Sequence, residues 1–142
     1  MSYDLMVFER EKAPSKQKDF LDWYEKETEW TEDHGYNDPT VSSPALQKWY
    51  REMIQTFPNM NGPDAPTNEQ LDEDEDLESH LTDYAIGRNV IYAAFSWSTT
   101  EEAYELTKRL AQKHGVGFFD VSGTDGDIFL PDGSLMKEIR KR

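Results

Sequence analysis

Apolar and polar positions along this chain recur with periods that name most of its elements. Tyr3–Phe8 is a short apolar run broken only by Asp4, the pattern of a buried strand. Glu9–Ala13 is polar, and Pro14-Ser15 opens a helix on which Phe20, Trp23, Tyr24, Glu27 and Trp30 share a face. His34-Gly-Tyr-Asn-Asp-Pro39 is a loop, because glycine frees the backbone and Asn-Asp-Pro favours a turn. Ser43-Pro44 then reads as an N-cap followed by proline at the first helical position. Leu46, Trp49, Tyr50, Met53, Ile54 and Phe57 form the cleanest apolar stripe in the chain, and Pro58 stops it.

Pro58–Pro63 is a compact turn segment. Tyr84–Ile86, a turn at Gly87-Arg-Asn89, and Val90–Trp97 follow as a β-hairpin rich in β-branched and aromatic residues. Thr99-Thr-Glu-Glu102 matches a capping box, and the helix it opens carries Ala103, Leu106, Leu110 and Ala111 inward to a C′ glycine at Gly115. Val116–Val121 and Asp127–Leu130 are strands around the turn Ser122–Gly126, and Pro131-Asp-Gly133 ends the second. The order β-α-α-β-β-α-β-β predicts the α+β class: a single mixed or antiparallel sheet with helices packed on it, its second half ferredoxin-like. One domain spans 1–142, with a mobile acidic loop at about 64–83 and a short basic tail at 136–142.

That acidic stretch changes the picture most. Residues 64–83 hold nine carboxylates and neither lysine nor arginine. Such a run repels itself and needs either bulk water or a cationic partner. It lacks the D-x-D-x-D-G order and closing Glu of an EF-hand loop, which argues against calcium. The whole chain carries a formal charge of −14, from 29 acids against 15 bases. Binding to nucleic acid or to an anionic membrane is therefore disfavoured, and a basic protein is the natural electrostatic partner. Only 36% of residues are hydrophobic but 13% are aromatic, so rings must supply much of the core. The absence of cysteine excludes disulfides and thiolate chemistry. Neither a signal-peptide pattern nor a run of 18 apolar residues is visible, so a cytoplasmic protein is expected.

Candidate chemistry is sparse. His34 has Asp33 and Asp38 beside it and Glu29 and Glu32 upstream, and with Asn61 from the next loop it could form a small ligand or general-base site. A histidine that merely anchors its turn is the simpler reading, and no H-E-x-x-H or other metal spacing occurs. His114 fits a favourable interaction with a helix C-terminus. Ser122 is in no G-x-S-x-G elbow, and Asp120, Asp125 and Asp127 read as turn chemistry. No cofactor is implied. All four tryptophans fall on expected buried faces, but the aromatic residues exceed what one small core needs, and Trp30, at the helix end beside the His34 loop, is with Tyr36 the candidate interface anchor.

Ser2-Tyr-Asp-Leu-Met-Val-Phe8, Thr28-Glu-Trp30, the His34–Pro39 loop, Phe57–Pro63, Thr82–Gly87 and His114–Val121 resemble segments of a family of small acidic bacterial proteins, a resemblance that implies no activity. In size, acidity and element order the chain is also similar to toxin-immunity proteins. That similarity implies a non-enzymatic, immunity or antitoxin-type inhibitor of a basic toxin. The chain itself is expected to be a monomer or a homodimer, the homodimer being the form that would bury surplus aromatic residues. Asp72, Glu73, Asp74, Glu75 and Asp76 would supply the attraction, with Trp30 and Tyr36 as anchors. The competing expectation is a small enzyme or ligand-binding domain using His34, Asp38 and Asn61.

Overall fold

The computed structural model describes residues 2–136, so the expected basic tail lies, apart from Met136, outside the described residues. Five strands form one antiparallel sheet: β1 (Tyr3–Phe8), β2 (Asp83–Ile86), β3 (Val90–Phe95), β4 (Gly117–Phe119) and β5 (Ile128–Phe129). Their spatial order is β2-β3-β1-β4-β5. The class is α+β. Order β2-β3-β1-β4 with antiparallel neighbours is the split-βαβ arrangement of a ferredoxin-like sandwich. The sequence suggested that likeness for the second half alone. β1 proves to be the central strand, with Tyr3 opposite Phe95 on one side and Met6 opposite Phe119 on the other. The sandwich therefore spans both halves of the chain.

Strand alternation divides the side chains between two faces. Leu5 and Val7 of β1, Ile91, Ala93 and Phe95 of β3, and Tyr84 and Ile86 of β2 point to one face. Helices α2 (Pro44–Thr56) and α5 (Thr100–His114) cover it. Ser43 caps α2 by accepting from the Leu46 amide, and the predicted stripe buries Leu46, Trp49, Tyr50 and Met53. The Trp49 indole N–H, fully buried, donates to the Thr107 carbonyl at 3.2 Å and ties the two helices together. Gly115 ends α5 in the left-handed conformation, as expected of a C′ glycine.

Met6, Phe8, Val90, Phe119 and Ile128 point to the opposite face. There α1 (Gln17–Glu27) packs Phe20 edge-on against Phe8 and Phe119. Only part of this face is covered. Gly117 makes close packing possible, since a methyl group there would overlap the Phe8 ring.

Three expectations change. Residues 64–83, read as a loop, contain two short helices, α3 (Asn68–Glu73) and α4 (Glu75–Ser79), neither of which buries a residue. Thr67 and Gln70 form a complete capping box at the start of α3. The box expected at Thr99–Glu102 does not form: Thr99 donates its hydroxyl to the Ser96 carbonyl, and Glu102 is taken by His80. Finally, β3 stops at Phe95, and Trp97, expected to be buried, sits on a 3-10 turn with 51% of its surface exposed.

The sheet edges are largely occupied. Beside β2, Thr82 donates to the Pro58 carbonyl and accepts from the Met60 amide, and Ile86 donates to the Tyr36 carbonyl. On the far side β5 has only two residues, and Leu135 bridges Phe129. No helix among the described residues is long and apolar enough to cross a membrane.

Candidate functional site

Asp72, Glu73, Asp74, Glu75 and Asp76 are all exposed. Asp74 accepts from the Asp76 amide and so starts α4, which fixes how the run is presented. None of the five takes part in an ion pair among the described residues. Two tethers hold the segment. Upstream, the buried Tyr50 hydroxyl donates to Asp64 at 2.9 Å and accepts from Asn59. Downstream, His80 donates from Nε2 to Glu102 of α5 at 2.7 Å and from Nδ1 to the Asp76 carbonyl at 2.8 Å. Burial disfavours the charged ring, but the bonds to Glu102 and the Asp76 carbonyl outweigh it, and the His80 pKa is raised.

In the loop at 34–39 the expected site residues make local hydrogen bonds. Both nitrogens of His34 face acceptors, Gly35 O at 2.7 Å and Glu32 Oε1 at 2.5 Å, and these two bonds raise its pKa. Glu32 also accepts from the Arg88 amide, so His34 and Glu32 fasten this loop to the β2–β3 turn. Asp38 is occupied in capping the 3-10 turn at Pro39–Val41, where the Thr40 hydroxyl and amide lower its pKa. Asn61 donates to Asp83 at 3.0 Å. The two loops do meet, since a Cβ on Gly62 would lie 2.9 Å from that of Asn37. The three expected site residues nevertheless serve three separate local partners.

Trp30 and Tyr36, the expected anchors, are half-buried and pack on each other with ring centroids 5.1 Å apart. Trp30 is also 6.1 Å from Tyr92. Its φ of 54° places a bulky residue in the left-handed region, a conformation that costs on the order of 1 kcal/mol and turns the chain sharply after α1. The most exposed indole is Trp97, 51% accessible and tilted against Tyr3 with ring centroids 5.4 Å apart.

The sequence did not indicate a trough on the uncovered part of the sheet. Where Met6, Phe8 and Phe119 fill the space under α1, the same face continues with Asp4, Ala94, Ala85 and Asp83, which leave it open. One hollow of about 370 Å³ is walled by Tyr24, Trp30 and Tyr92. A second, of about 550 Å³, shares Ser2, Asp83 and Ala94 with it and runs on to Met60, Glu78 and Leu81 beside α4. Asp4 accepts from the Ser2 hydroxyl and the Tyr92 hydroxyl, each at 2.5 Å. Burial, reinforced by Asp4, pushes the Tyr92 phenol well above its ordinary range. The only sequence signal was Asp4 itself, a charge inside an apolar strand.

Two further carboxyls are perturbed. Burial and the nearby Asp127 raise the pKa of Asp120, and burial and Glu32 raise that of Glu27. Each keeps one buried oxygen without a hydrogen bond among the described residues. His114 pairs with Glu52 of α2, which also takes Lys113, so α2 and α5 are clamped at that end. No group of three or more His, Asp or Glu side chains positioned to hold a metal ion occurs among the described residues.

A scan against protein-family models finds no match, and searches of curated proteins and of solved structures likewise find no significant match.

Proposed function

We propose that this chain is a non-enzymatic, cytoplasmic binding protein that captures a basic protein partner, in the manner of an immunity or antitoxin-type inhibitor of a basic bacterial toxin. The observation that carries this reading is the display of Asp72–Asp76 on and between two short helices outside the core, with neither lysine nor arginine between residues 64 and 83. Like charges brought together this densely disfavour the isolated surface and are relieved by a cationic one. Trp97, exposed at the N-terminal end of α5 where Glu102 meets His80, joins Trp30 and Tyr36 as a candidate anchor.

The test is capture of a partner from the source cell, followed by titration of the purified pair. A 1:1 complex is expected, with association that slows as salt rises. Replacing Asp72, Glu73, Asp74, Glu75 and Asp76 by their amides should slow association about tenfold or more while leaving dissociation less affected. Association indifferent both to salt and to these five substitutions would overturn the reading.

A further inference from the structure

The trough on the open sheet face has a composition that selects its occupant. Tyr24, Trp30 and Tyr92 wall one end, and Asp4 and Asp83 stand along it. No lysine or arginine lines either hollow among the described residues. Aromatic faces attract cations through their negative quadrupole, and carboxylates add a directed charge, so an anion is repelled here and a neutral group gains little. Room is left because the floor residues are alanines, Ala85 on β2 and Ala94 on β3. Asp4 has spent one lone pair of each oxygen on Ser2 and Tyr92, which fixes its rotamer. A carboxylate has about four acceptor sites, so capacity remains for an incoming N–H donor. Asp83 is exposed and uses one oxygen on Asn61. The far end of the trough reaches Glu78 of α4 itself and Leu81 just after it.

We propose that this trough is a docking site for a lysine or arginine side chain on an extended segment of a basic protein, seated against Tyr24, Trp30 and Tyr92 and paired with Asp4 and Asp83. The inference rests on the proposed function only for the partner being basic. The acidic helices attract at long range, and the trough seats one side chain.

The experiment uses the full chain, isotope-labelled, titrated with the blocked tripeptide acetyl-Gly-Arg-Gly-amide and with its neutral isostere carrying citrulline. The arginine peptide should give saturable amide and indole shifts at Trp30, Ala85 and Ala94, and the citrulline peptide should give none. Asp83→Asn, at an exposed position, should weaken the effect at least fivefold, and Asp4→Asn should do the same. Amide replacements at residues 72–76 should leave the trough shifts nearly unchanged. Shifts confined to residues 68–79, or equal shifts with citrulline, would overturn the docking site. That result leaves the proposed function standing if a partner still associates through residues 72–76. The reverse result, a filled trough with no electrostatically steered partner, removes the proposed function and keeps the docking site.

Discussion

Gly117 shows how one missing side chain sets the packing of a whole face. A methyl group there would overlap the Phe8 ring, and both residues are buried. Gly117→Ala should cost about 1–3 kcal/mol, the usual range for overpacking a tight core. Chemical denaturation would measure it, and Phe8→Leu in the same chain should return part of the loss because the two sites are in contact. Additive losses would mean that the clash is relieved elsewhere. The trough depends on equally small residues, and here the sequence was only half legible. Asp4 stood out as a charge within an apolar run, yet its partner Tyr92 is 88 positions away, and only the β1–β3 register brings them together. Trp97 was misjudged because the end of β3 is decided by the Ser96 cap rather than by residue type.

At the level of elements, local pattern carried furthest where everything needed was local. α2 has its cap, its proline, its stripe and its stop within one window, and it formed as read. The start of α5 carried an equally good local signal and failed, because Glu102 is claimed by His80, 22 residues distant. That pair predicts a pH response. The folded His80 pKa is raised, so its contribution is fully present below the unfolded value of about 6.5 and fades as pH rises through the higher folded value. Hydrogen exchange across residues 75–79 should therefore speed up as pH climbs beyond that value, after correction for intrinsic rates. In His80→Gln exchange should be fast throughout, with no such step. An unchanged step in the variant would assign the response to another group, His34 being the alternative because its pKa is raised as well.

For the molecule as a whole, the excess of 29 acids over 15 bases acts on stability as well as on partner choice. Self-repulsion at −14 opposes compaction and is screened by salt. Going from ~0.01 M to 0.15 M chloride shortens the screening length from ~30 Å to ~8 Å, so the thermal midpoint should rise over that range. Amide replacements at residues 72–76 should reduce the slope, since those carboxylates lack ion-pair partners among the described residues. A midpoint that falls with chloride would show that the few ion pairs matter more than the net charge. The class was visible from the sequence, and so was the order of the elements apart from α3 and α4. The placement of β1 at the centre was not, because nothing in a six-residue strand specifies two neighbours so far along the chain.

The closed margins of the sheet have a bearing on handling. With the 58–60 segment paired to Thr82 just before β2, the Tyr36 carbonyl bonded to Ile86 at its end, and β5 only two residues long, the free backbone among the described residues is short for templating another copy. Mutual repulsion between copies works in the same direction. Concentrated samples should accordingly resist fibril growth, and cutting Tyr36 away from Ile86 would be the shortest route to losing that protection.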